Sequence, residues 1–69
     1  RQRNFVVLRH SGRDDGEWYC VAAFNQIDRA RRSYERVVTQ HRQGGVALYD
    51  GSRYKLLEFT SSPRLRTQW

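Results

Sequence analysis

The stretch FNQIDRARRSYERVVTQHRQGG, residues 24–45, decides the fold. Within it apolar and aromatic residues recur three or four positions apart, as one face of an α-helix requires. This spacing predicts a helix over about residues 26–43, with Asn25 as the N-cap that accepts a hydrogen bond from a free backbone N–H. Gly44 and Gly45 end the helix, because glycine tolerates left-handed backbone geometry. The apolar stripe consists of Ile27, Ala30, Tyr34, Val37, Val38 and His41.

Segments that favour β-structure flank this helix on both sides. The predicted strands span about residues 4–10, 17–24, 46–49 and 53–60. Residues 11–16, with two glycines and two aspartates, form the first turn. Asp50 and Gly51 predict a two-residue hairpin turn of type I′ between the last two strands, in which both residues have positive φ.

The element order β-β-α-β-β predicts an α+β fold. We expect a single small domain over residues 1–60, in which one helix packs on one face of a four-stranded, mainly antiparallel sheet. Residues 61–69 form a basic C-terminal tail. A single helix can cover only one face of such a sheet.

Both faces of the predicted sheet carry apolar side chains, although a sheet with one wet face should alternate apolar and polar residues. The run Phe5-Val6-Val7-Leu8 shows this, because its members point alternately to opposite faces. Three interpretations of the helix-free face compete. It packs against another protein or another copy, its aromatic residues stack on nucleic-acid bases, or the tail folds back and covers it with Leu65 and Trp69.

We favour protein packing, because aliphatic residues add nothing to a stacking surface. An Arg-x-Arg segment ending in tryptophan also suits a peptide that docks into a partner. Because the strands are apolar on both faces, either set of alternate residues could face the helix. As a first choice, we assign the following residues to protein binding. They are Phe5, Val7, Tyr19 and Val21 on the helix-free face, with Leu65 and Trp69 in the tail.

Arginine dominates the charge of the chain. Twelve of the 13 basic residues are arginines, and the formal net charge is +6. Such an excess favours anionic partners, because a guanidinium makes planar, bidentate contacts with phosphate or carboxylate. A codon bias toward arginine, or an ordinary solvated helix face, would give the same excess, and for the helix arginines we favour the solvated face. Arg29, Arg32 and Arg36 share one face of the helix. Together with Arg64 and Arg66 of the tail, they are the candidates for phosphate contacts in an alternative nucleic-acid-binding function.

We expect no catalytic site, cofactor or metal site. Cys20 is the only cysteine and lies within a strand, where a buried, inert thiol is the usual state. His10 and His41 are too scattered to form a zinc site with it. No phosphate loop or nucleophile elbow is present, and no apolar run reaches the ~20 residues of a membrane span.

These observations together predict a small, non-catalytic protein-interaction module. It acts as an accessory subunit or as a homo-oligomer, through the helix-free face, the tail or both. A cytoplasmic location is expected, since a lone reduced cysteine fits a reducing compartment.

Overall fold

The computed structural model describes residues 3–12, 16–41 and 44–61. The predicted β-β-α-β-β order and the α+β class are confirmed. The elements are β1 (Phe5–His10), β2 (Trp18–Phe24), α1 (Ile27–Gln40), β3 (Gly45–Asp50) and β4 (Lys55–Ser61). The tail candidates Arg64, Leu65, Arg66 and Trp69 lie outside the described residues.

The four strands form one antiparallel sheet in the order β2-β1-β3-β4. The central pair β1 and β3 has an uninterrupted register. Each outer strand contains one extra residue, because Val21 of β2 and Leu57 of β4 have no partner in the ladder. Such β-bulges change which face the following residues occupy.

The hydrophobic core lies between α1 and one face of the sheet. Ala30 and Tyr34 of α1 pack there against Val7, Val46 and Leu48, and the three sheet residues have no exposed surface. The core is small, which agrees with the limited burial that a chain of this length can achieve.

Two polar contacts attach α1 to β4. The hydroxyl groups of Tyr34 and Thr60 share a hydrogen bond of 2.5 Å in a partly buried position. The guanidinium of Arg31 donates to the carboxylate of Glu58 at 2.8 Å. The second contact is about half exposed, so it contributes at most about 1 kcal/mol.

The helix is shorter than predicted at both ends. Gln26 occupies the N-cap position and makes no side-chain capping bond, so the assignment of Asn25 as N-cap is wrong. At the other end the backbone N–H of His41 donates to the carbonyl of Val37 at 2.9 Å and the backbone then becomes extended. Gly44 does have a left-handed backbone, with φ of +88°, but it precedes β3 rather than capping α1.

The loop between β3 and β4 is longer than predicted. Asp50 pairs with Lys55 in the ladder, so the loop comprises residues 51–54 and the type I′ prediction is wrong. The residue with positive φ is Tyr54, at +53°. The Asp50 carboxylate accepts hydrogen bonds from the hydroxyl and backbone N–H of Ser52, at 2.7 and 3.0 Å. These bonds, the hydroxyl bond above all, lower the pKa of Asp50 against the opposing effect of burial.

Candidate functional site: the helix-free face

The side chains on the helix-free face form three rows across the sheet. Directly opposed residues of an antiparallel pair share a face, so the strand register assigns each residue to one side. In the order β2, β1, β3, β4, the rows are Trp18, His10, Gly45 and Ser61; then Cys20, Leu8, Ala47 and Phe59; then Ala23, Val6, Tyr49 and Leu56.

None of these row positions holds a lysine, arginine, aspartate or glutamate, although such residues make up 29% of the chain. The same register places the charged strand residues Arg9, Asp50, Lys55 and Glu58 on the helix side. Charge is therefore confined to one side of the described sheet, which leaves the helix-free face neutral and largely apolar.

Two aromatic side chains from opposite outer strands meet above the middle of this face. The rings of Trp18 and Phe59 contact edge to face, with centroids 6.0 Å apart, and Trp18 also packs against His10 at 5.3 Å. They can meet because the residues beneath them on β3 are small. A Cβ atom added at Gly45 would lie 3.1 Å from an atom of each ring, and Ala47 is only 3% exposed.

An apolar groove adjoins this aromatic pair. Its walls are Trp18, Phe59 and Leu56, and Leu8, Ala47 and Tyr49 complete the lining. The three wall residues are 45%, 53% and 54% exposed, respectively. These large apolar side chains are half exposed, lie next to one another and have no charged neighbour among the described residues of the face. Such a surface is suited to contact with another apolar surface.

The structure corrects the sheet face to which the four strand candidates for protein binding were assigned. Phe5 and Val7 do not lie on the helix-free face: Val7 is buried under α1, and Phe5 packs against the same core. Tyr19 pairs with Arg9 and so lies on the helix side, where it is 51% exposed. Val21 is the bulge residue and is exposed beside the rows.

Sequence reasoning missed the three wall residues of the groove. The size of Trp18 and Phe59 marks them as candidates for protein contact, but the sheet face on which each lies depends on the bulges. Cys20, expected to be buried, is instead an exposed thiol on the helix-free face, and its Sγ lies 3.5 Å from the carbonyl oxygen of Ala22.

The histidines have local hydrogen-bond roles. Nδ1 of His10 accepts a hydrogen bond from the backbone N–H of Gly12 at 2.9 Å. Nδ1 of His41 donates to the carbonyl of Val38 at 2.7 Å, and within the described residues its buried Nε2 has no partner. Across residues 3–12, 16–41 and 44–61, no three His, Cys, Asp or Glu side chains come together as metal ligands.

The alternative candidates Arg29, Arg32 and Arg36 lie away from this face. All three are exposed on α1 and line a second groove next to Phe24. Helix α1, with 14 residues, is neither long nor apolar enough to cross a membrane. The chain matches no protein-family model, no curated protein and no solved structure.

Proposed function

We propose that the protein is a non-catalytic interaction module whose helix-free face packs against an apolar surface of a partner protein. The observation that supports this most strongly is the neutral face, with Trp18, Leu56 and Phe59 half exposed upon it. Burying apolar surface gives about 25 cal/mol per Å². A partner can bury this face without removing a charged strand residue from water.

The size of the face favours a different protein over a second copy of the chain. Four strands about 4.8 Å apart and three rows about 6.8 Å apart give a face of roughly 400 Å². A stable interface buries about 800 Å² on each partner, so two copies joined by this face alone would associate weakly. The net charge of +6 on each copy adds mutual repulsion. A partner that extends beyond the face can complete the interface.

The same face is a poor platform for nucleic-acid bases. Sheet surfaces that bind single strands combine stacking aromatics with cations that contact the backbone. The rows contain the aromatics Trp18, Tyr49 and Phe59 but no lysine or arginine. Leu8 and Leu56 fill the space between them with aliphatic surface, which favours packing against a protein.

Photo-crosslinking tests this proposal. A photoreactive amino acid is placed at position 56 on the face and, as the matched control, at exposed position 40 on α1, in cells that produce the chain. We expect a discrete adduct from position 56 that position 40 does not give. Adding Phe59→Arg should abolish it, because a charge would then have to be buried in the interface.

Far-UV circular dichroism of each variant must first show an intact fold, because Phe59 also covers Ala47. Identical adduct patterns from positions 56 and 40 would contradict the proposal, as would no adduct from position 56. The mass of the adduct identifies the partner class, since a doubled mass means a second copy of this chain.

A further inference from the structure

A second surface lies on the other side of the molecule, where α1 runs beside the outer strand β2. Arg29, Arg32 and Arg36 line a groove there together with Ser33 and the ring of Phe24. At the Asn25 end, Arg29 also lines a neighbouring concavity with Arg3. We call Arg3, Arg29, Arg32 and Arg36 the arginine groove.

The charges of α1 are divided between its two flanks. At 100° per residue, Asp28, Arg31 and Glu35 fall on one flank, which faces β4 because Arg31 pairs with Glu58. On the same projection Arg29 and Arg36 lie about 80° or more from both acidic residues of the helix, whereas Arg32 lies about 40° from Asp28. Asp28 and Arg32 have the i,i+4 spacing of a helical ion pair, but the ion pairs found among the described residues do not include this one.

The four groove arginines have no carboxylate partner among the described residues, in which the ion pairs are Arg31–Glu58 and Arg53–Asp50. Their guanidinium groups therefore retain their bidentate donors for a ligand. They also repel one another at this spacing, and a bound anion would relieve that repulsion.

We propose that the arginine groove binds the phosphate backbone of a nucleic acid. From Arg29 to Arg36 the helix rises about 10 Å, which is the axial distance across four successive phosphates of one duplex strand, about 3.4 Å apart, so each of the three arginines can reach one of them. Arg3 extends the row by one contact. The groove is open rather than closed around a small molecule, which suits an extended polyanion.

Two further features favour nucleic acid over an acidic protein. Protein interfaces depend on large apolar anchors, and the strongly exposed apolar side chains of the described residues do not line this groove. Phosphate contacts need only charge and hydrogen-bond donors, which the guanidinium groups provide. Binding of this kind does not depend on base sequence, and it leaves the helix-free face accessible to its own partner.

Salt dependence of binding tests the groove. The full chain is titrated into a fluorescently labelled DNA duplex, and the dissociation constant is measured between about 50 and 200 mM salt. Each phosphate contact contributes about −0.9 to the slope of log affinity against log salt. Four contacts give a slope of about −3.6, or about a 150-fold loss of affinity over this range.

The decisive comparison uses two double variants that lose the same charge. Arg29→Ala/Arg32→Ala removes two groove contacts, and Arg31→Ala/Arg53→Ala removes two arginines elsewhere. The groove variant should lower the magnitude of the slope by about 1.8, and the control should leave it unchanged, whatever the rest of the chain contributes. Circular dichroism verifies that both variants remain folded.

Two outcomes would overturn the proposal. Equal losses in the two double variants would mean that DNA responds only to net charge. Polyglutamate that competes with the duplex as well as unlabelled duplex does, at equal charge concentration, would assign the groove to acidic proteins.

Discussion

Replacing Gly44 by alanine should remove much of the stability of the domain, because two independent effects act at this residue. Its φ of +88° lies in the left-handed region, which costs a residue with a side chain about 1–2 kcal/mol. In addition, a Cβ atom would lie 1.8 Å from the backbone carbonyl oxygen of His10. No side-chain rotation can relieve that overlap, so the end of β1 must move.

Displacing a packed segment costs a further 1–3 kcal/mol or so, giving a total of about 3 kcal/mol. A 69-residue domain has a free energy of unfolding of about 3–10 kcal/mol, so the loss is a large share of the total. At 4–8 °C per kcal/mol for a domain of this size, the melting temperature should fall by roughly 12–24 °C. Thermal unfolding followed by circular dichroism measures this fall.

Gly45→Ala is the matched control, because the same methyl group is added one residue further along. There the nearest atoms, 3.1 Å away, are the ends of the Trp18 and Phe59 side chains, which can shift by a few tenths of an ångström. The smaller backbone entropy of unfolded alanine offsets part of that cost, so the change should stay within about 1 kcal/mol. Equal shifts of melting temperature in the two variants would refute the reasoning.

Three further predictions concern the core and its polar contacts. Tyr34→Phe removes the hydrogen bond to Thr60 and should cost about 1 kcal/mol in chemical denaturation, and Tyr34→Phe made in a Thr60→Val background should cost less. Leu48→Ala should cost about 2–5 kcal/mol, measured in the same way, because Leu48 is fully buried. Because its pKa is lowered in the folded state, Asp50 stabilises the fold above its ordinary pKa of about 3.9, and this contribution is lost as the pH falls through the lower folded value. Unfolding curves at several pH values should therefore show Asp50→Asn less stable than the unaltered chain at pH 7. The difference should shrink in acid, because a protonated Asp50 carboxyl group accepts weaker hydrogen bonds from Ser52.

The strands and the helix could be predicted because their signals are local. The spacing of Ala30, Tyr34 and Val37 within α1 and the β-favouring run that starts at Phe5 depend on neighbouring residues only. The helix ends were less predictable, since Asn25 has the right chemistry for an N-cap but lies one position before the observed one.

The face assignment could not be predicted, because the apolar run of β1 fits either face and the assignment in the two outer strands depends on the bulges. Without the extra residue Val21, strict alternation would put Trp18 and Phe24 of β2 on the same face, and the structure puts them on opposite faces. Leu57 has the same effect in β4 and lets Leu56 and Phe59 share the helix-free face. A bulge arises from pairing with a neighbouring strand, and periodicity in one strand does not reveal it.

Both bulges lie on the outer strands, and this position restricts how molecules of the protein can aggregate. An outer strand exposes unpaired N–H and C=O groups, to which a strand of another molecule can add without limit, as in a fibril. The extra residues Val21 and Leu57 interrupt the regular donor and acceptor spacing along those edges. The apolar face remains open while growth through the edges is hindered, so the weak self-association of a concentrated solution should stop at face-to-face pairs and not extend into fibrils.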